Sequence, residues 1–351
     1  MLPTRVAGNF LYQYAIVFSS TKFNRQTQEQ MIDLTATMRT DMELFLMQFA
    51  GERVLFVPNE GNVGDCLIFA ATLDSFSKAS IDFEVVNGSA DFRNRTVLLG
   101  GGGNLVGIYR GMRKTIEACR DRAERIVLLP HTIRGNADLI QSLDDRATVW
   151  SRDSRSFEHV STLNPSLDCR LGHDMAFHCD VDQLMNDRKC NELGPPLLNA
   201  GLAQYRTSLD KISRLPVVRF MRTDREALSS RAETDLDVSR AFGGVTDAEA
   251  SRLASWCFLK TISSARRVVT DRLHVAIACA LLQIDCELLD NSYNKNREIY
   301  AHSLHGFDRI AFLKTAGERI ADRPARKKSL LARAARRTQI LRDRLREIAA
   351  Q

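Results

Sequence analysis

The sequence predicts an α/β fold: a mostly parallel sheet covered by helices on both faces. Three observations carry this reading. Short apolar runs recur along the chain, most of them end in a polar or glycine-rich turn, and helical stretches separate them. Strands buried on both faces read as near-continuous apolar runs, and parallel neighbours need helical crossovers between them.

In chain order, Met31, Leu34, Met38, Met42, Leu44, Phe45 and Met47 stand at helical spacing and the pattern stops at Gly51. This predicts a helix over 28–50 within an N-terminal extension, 1–50. VLFVP at 54–58 is then a strand, GNVGD at 61–65 a turn, and CLIFAATLDSFSKA a helix. IDFEVV from 81, TVLLG at 96–100, RIVLLP at 125–130 and ATVWS at 147–151 are further strands, completing a first domain over 51–195. The stretch 186–209 contains Gly194, Pro195 and Pro196 and no sustained period, so it reads as the linker. LPVVRF at 215–220, a helix in SWCFLKTISSA at 255–265, VVTD at 268–271 and CELLD at 286–290 form a second domain over 205–320. The tail, 321–351, has helix-forming composition, with Leu341, Leu345 and Ile348 on one stripe.

Composition narrows the function. A chain of 351 residues, 44% apolar and 26% charged, has the makeup of a globular enzyme-sized protein. It shows no leader-like N-terminus and no run of 18 apolar residues, which places it in the cytoplasm. Its eight cysteines include no CxxC pair and sit mainly in apolar runs, so they read as reduced thiols without a structural metal. The formal charge of +6 is concentrated in the tail, where ten Arg or Lys face three acidic residues and leave the rest of the chain near neutrality. A near-neutral body argues against nucleic acid as a partner. The basic, apolar-striped tail suits peripheral contact with an anionic membrane surface.

The candidate chemistry lies where strands end. GNVGD brings Asn62 and Asp65 to a helix start, LLGGGGNL at 98–105 brings Gly101, Gly102, Gly103 and Asn104, LPHTIRGN puts His131 just beyond a strand, and WSRD puts Arg152 beyond the next. Ligands of open parallel sheets lie beyond the carboxyl ends of the strands. The glycine run has neither GxGxxG nor GxxxxGK[ST] spacing, so it reads as a bare backbone cradle. In the second half, VVTDRLHVAIACALL at 268–282 places Asp271, Arg272 and His274 between an apolar strand and an apolar helix. Buried charges need partners. A bound anion would supply one for Arg272 and His274, with Asp271 holding them ready in its absence. LLDNSYNK at 288–295 adds Asn291, Ser292, Tyr293 and Lys295, a cluster of donors. These residues together support an anionic substrate between two domains and fix no specific reaction.

GNVGD at 61–65, GGGG at 100–103, SRD at 151–153, HDMAF at 173–177 and TDRLH at 270–274 are five motifs in order. With them the chain resembles the polysaccharide pyruvyl transferase family over roughly 54–300, and DNSYNK at 290–295 inclines toward its bacterial exopolysaccharide branch. The resemblance implies two Rossmann-like domains facing a cleft, as in glycosyltransferases of the B type. It implies transfer of the enolpyruvyl unit of phosphoenolpyruvate onto two hydroxyls of one sugar, giving a cyclic ketal and phosphate, with no metal or other cofactor. Carried onto this chain, Arg152 and Arg272 hold the donor's phosphate or carboxylate and His274 is the general acid. Asp65 is then the candidate base, Lys295 and the arginines stabilise departing phosphate, and His131 serves the acceptor or the ring-closing step. The implied acceptor is a lipid-linked saccharide, met at the cytoplasmic face of the inner membrane. Two other readings stay open: a sugar-nucleotide glycosyltransferase using Glu287 or Asp290 as its acidic residue, and a non-enzymatic anion-binding assembly factor.

Overall fold

The computed structural model describes residues 34–224, 233–245, 247–290 and 295–313. Residues 41–323 form one compact unit, and a second unit takes in 1–40 and 324–351, of which 34–40 are described. The basic tail and most of the N-terminal extension therefore lie outside the described residues. A helix covers 34–46 and passes through a 3-10 turn, Met47–Phe49, to Gly51, where φ is +77°.

Seven strands form the first sheet: β1 (Arg53–Val57), β2 (Asp82–Val85), β3 (Thr96–Leu99), β4 (Gly102–Leu105), β5 (Arg125–Ile133), β6 (Ala147–Ser151) and β7 (Asp168–Leu171). All pair in parallel, in the order β2-β1-β3-β5-β6-β7, with β4 also on β5. Two differences from the sequence reading matter. The glycine run is not a simple turn: β3 and β4 lie along successive parts of β5, interrupted at Gly100 and Gly101. Second, β5 does not stop at Pro130. It continues through Ile133 because His131 pairs with Gly102 and Ser151, so His131 sits inside a strand rather than beyond one.

The parallel register makes alternate residues serve two cores. Leu55 and Val57 of β1 join Val97, Leu99, Ile126, Leu128 and Val149 in one apolar cluster. Phe56 points the other way, onto Phe69 and Phe76 of helix α1 (Val63–Lys78), with ring centroids 5.7 and 5.1 Å away. Helices α2 (Gly111–Cys119) and α3 (Ser154–Leu163) supply Met112, Ile116 and Val160 to the first cluster.

The expected linker is instead helix α4 (Arg188–Ala203), with Pro195 and Pro196 inside it. Its period is carried by Cys190, Gly194, Leu198, Gly201 and Leu202, all buried, so the repeat hides in small residues. The two prolines bring no amide donors to this helix. This face meets helix α5 (Ala248–Ser263), where Cys257 Sγ reaches Gly194 O at 3.7 Å. Helix α5 also joins α1: Arg252 pairs with Asp74 at 3.1 Å and with Asp187 at 3.4 Å.

The second sheet is parallel and four-stranded, in the order β11-β10-β9-β8: β8 (Val218–Phe220), β9 (Arg267–Thr270), β10 (Asp285–Leu289) and β11 (Ile310–Leu313). Between β9 and β10 runs α6 (Leu273–Leu282), apolar on all sides and buried almost throughout, and after β10 comes α7 (Lys295–Ile299). All eight cysteines are free thiols. Among the described residues no helix is long and apolar enough to cross a membrane.

Removing Phe56 tests the two-core reading. Phe56→Ala is expected to cost about 3–5 kcal/mol, read as a lower midpoint in urea unfolding at an unchanged slope.

Candidate active site

Residues at the carboxyl ends of the strands from both sheets line a cavity of about 240 Å³. Of the residues expected there, Asn62, Asp65, Gly103, Asn104, Arg152, Arg272, His274 and Lys295 are present in its wall. Gly101, Gly102, His131 and Asp271 are not, and Asn291, Ser292 and Tyr293 lie outside the described residues.

The turn before α1 builds one side. Asn62 Oδ1 accepts from Gly64 N and Asp65 Oδ2 accepts from Asn62 N, each at 2.9 Å, a reciprocal cap that fixes Asp65 at the helix start. Burial raises the Asp65 pKa, against the pull of His274, the Asn62 amide, Arg152 and Lys295. Gly64 has a steric reason: a Cβ there would lie 2.2 Å from His274 Nδ1, so only glycine lets the imidazole rest on this turn. Gly103 has another, since its Cβ would meet Arg152 Nη2 at 2.5 Å and Lys295 Nζ at 3.3 Å. The other glycines of the run make room for protein: a Cβ on Gly101 would strike Pro130 O, and one on Gly102, at φ +148°, the Asn59 side chain.

Arg152 is 1% exposed and forms an ion pair with Asp174, while its Nε donates to Thr132 Oγ1 at 2.9 Å. Behind it Thr132 donates to Asp153 at 3.1 Å, and Asp153 also pairs with Arg134 at 2.9 Å and caps α3 through Ser156 N. Asp174 is fully buried and also lies 3.5 Å from His274 Nε2. At that distance the contact is an ion pair when the ring is protonated, rather than a full hydrogen bond. Burial opposes charge on Asp174, but Arg152 and His274 outweigh it and hold its carboxyl well below the usual range.

The second sheet contributes Arg272, 4% exposed. Its partner is not Asp271 but Asp237, which accepts from Nε at 3.0 Å and Nη2 at 2.5 Å, together with Asp224 on Nη1 at 2.8 Å. Asp271 instead accepts from the Arg222 backbone amide at 2.8 Å, and Arg222, itself in the cavity wall, pairs with Asp224 at 3.0 Å. Asn296 of α7 is buried and donates to Asp271 O at 2.7 Å and Leu289 O at 2.9 Å, which places α7 and Lys295 beside the cavity. The halves are also joined at the turn before α1, where Val245 N donates to Gly61 O at 3.1 Å.

His131 acts from behind the wall. Its Nε2 donates to Asn104 Oδ1 at 3.0 Å, and burial with the nearby Arg152 pushes its pKa down to about 3, so it is neutral at pH 7.

Sequence reasoning gave no role to Asp174, Arg222, Asp224, Asp237 or Asn296. Asp174 carried a signal, its place in HDMAF; Asp237 had none, because its partner is 35 residues away.

The family model for polysaccharide pyruvyl transferase matches residues 62–293. The chain belongs to the polysaccharide pyruvyl transferase family. It is thereby a pyruvyl transferase of polysaccharide biosynthesis, and the matched span takes in the turn at Asn62, Arg152, Asp174, Asp237 and His274. No curated protein matches the chain. A crystal structure described as a functional uncharacterized protein from Klebsiella pneumoniae subsp. pneumoniae shares the fold, with a TM-score of 0.63 and 24% identity over 79% of this chain and 99% of that one.

The transferase's buried histidines give its stability a pH dependence with a definite sign. His131 titrates near 6.5 when unfolded and about 3 when folded, so its contribution is complete above pH 6.5 and is lost as pH falls toward 3. His173, also lowered by burial to about 3, adds to it. The urea midpoint is expected to fall as pH is lowered from 6.5 to 4, and His131→Gln to make that fall shallower; an identical slope would contradict this.

Proposed function

We propose that this pyruvyl transferase uses phosphoenolpyruvate as donor and forms a cyclic ketal on two hydroxyls of one saccharide residue. The observation that carries the reading is the placement of His274 between the Asp65 turn and Asp174, in one cavity with Arg152, Arg272 and Lys295.

The donor is an enol phosphate ester that also carries a carboxylate. Its anionic groups lie against Arg152, Arg272 and Lys295, which are already oriented and so lose little on binding. His274 gives a proton to the methylene carbon, which becomes a methyl group, and C2 takes on oxocarbenium character. A sugar hydroxyl attacks C2 while Asp65 takes its proton; burial has raised the pKa of this carboxyl, which favours its service as a base. The bond from C2 to the phosphate oxygen then breaks. The second hydroxyl closes the ring, so that of the two hydroxyl protons one is balanced by the new methyl proton and the other by the protonated phosphate. The reaction needs no metal. Asp174 supports the imidazolium from behind, as a buried carboxylate orients a catalytic histidine elsewhere.

The cavity's walls from two parallel sheets support the B-type glycosyltransferase-like architecture, with 51–195 and 205–320 as its domains. His131 supports the acceptor side through Asn104. Asn291, Ser292 and Tyr293, shortly before Lys295 in the sequence, belong to this reading as further donors to the anion.

His274→Gln is expected to retain phosphoenolpyruvate binding by calorimetry while acceptor-dependent phosphate release falls by about 10²-fold or more. Unchanged turnover would remove the acid role, and release of a nucleoside diphosphate from a sugar nucleotide would replace the whole reading. The acceptor is lipid-linked, and the tail, at net +7 over 321–351, brings the protein to the cytoplasmic face of the membrane. The full chain is expected to sediment with anionic liposomes more than a chain ending at Ala325; equal sedimentation would refute this.

A further inference from the structure

The cavity is graded from floor to mouth. Its floor is lined by buried guanidiniums: Arg152, Arg222 and Arg272 are each at most 8% exposed, and each is paired with a carboxylate. Its mouth differs in chemistry. There the wall consists of Glu60 and Gly61, where the Asp65 turn begins, with Tyr109 and Arg110, between β4 and α2, and Gly111, the first residue of α2. Glu60 and Arg110 are exposed, and Tyr109 is half-buried and is the cavity's aromatic residue. Next to Tyr109, Ile108 is 51% exposed, which puts an apolar surface beside the opening.

At the floor the guanidiniums are buried and braced by carboxylates, whereas the mouth sets one exposed carboxylate, Glu60, and one exposed guanidinium, Arg110, beside an aromatic ring. A pyranose ring suits the mouth. Its C–H face packs on an aromatic or aliphatic surface, and its hydroxyls donate to a carboxylate and accept from a guanidinium. Glu60 precedes Asp65 by five residues on the same turn, and the 2.9 Å cap of Asp65 on Asn62 fixes the intervening backbone. A ring held by Glu60 therefore lies against the turn that carries the candidate base. Glu60 and Arg110 together leave the mouth near neutral, which suits an uncharged sugar, and Glu60 repels the carboxylate of a uronic acid that lies against it.

We propose that Glu60, Tyr109 and Arg110 form the acceptor subsite and that it takes an uncharged hexopyranose residue. This rests on the pyruvyl-transfer reading above and gives it a direction: donor at the floor, acceptor at the mouth.

The test is steady-state kinetics of the full chain with phosphoenolpyruvate and a panel of nitrophenyl hexopyranosides and hexuronides. In Glu60→Gln and Tyr109→Ala the acceptor KM is expected to rise roughly tenfold, while the phosphoenolpyruvate KM stays within about twofold. Glu60→Gln is expected to narrow the preference for hexosides over uronides. An unchanged acceptor KM in both variants, a parallel rise in donor KM, or uronides used as well as hexosides by the unaltered protein would overturn the proposal. If no hexoside elicits phosphate release from the unaltered protein, the donor reading fails, and the subsite is judged by saturation-transfer NMR of the hexosides alone. Transfer to a hexoside that Tyr109→Ala abolishes supports it; no transfer, or transfer equal in that variant, overturns it.

Discussion

The carboxylate of Asp174 is the constraint on which the rest of the site depends. It is buried, it caps the 3-10 turn Met175–His178 through Ala176 N, it pairs with Arg152 of the first sheet, and it faces His274 from the second. A buried carboxylate carries a desolvation penalty of several kcal/mol, which its partners must offset. The arrangement therefore ties three things together: the orientation of the arginine, the position of the imidazole, and the approach of the two halves. Breaking a buried pair of this kind typically costs about 3–5 kcal/mol, because the partner is left charged and unmatched.

The same logic governs Arg272. The sequence invites the idea that a ligand supplies its counter-charge, but Asp237 and Asp224 already do so. A guanidinium braced on two sides does not wait for substrate to order it. Electrostatic preorganisation of this sort is commonly the largest contribution to catalysis, since no reorientation is needed as charge develops. The glycines serve the same end by a steric route, with Gly64 admitting His274 and Gly103 admitting Arg152 to positions that a Cβ would crowd.

Much of this was legible in the residues. Strands ending in Asp65, Arg152 and Arg272 with His274 stood out because an apolar run interrupted by charge is costly unless the charge has work to do. What was hidden was hidden for physical reasons. Helix α4 disguises its period in Cys190, Gly194 and Gly201, and its two prolines signal a linker. His131 looked like a loop residue because Pro130 precedes it, yet it pairs on both sides within β5. Asp237 and Asp224 could not be assigned at all, since a salt bridge between distant residues leaves no local pattern. The family match over 62–293 agrees with the motif order, while the carboxylates behind Arg272 came only from the fold.

The most direct test is a double-mutant cycle on the Asp174–His274 contact, measuring acceptor-dependent phosphate release from phosphoenolpyruvate by Asp174→Asn, His274→Gln and the double variant. Residues that act as one unit are strongly non-additive. The double variant is therefore expected to be no slower than the slower single variant. Losses that multiply would mean that Asp174 and His274 work independently, and would contradict the account.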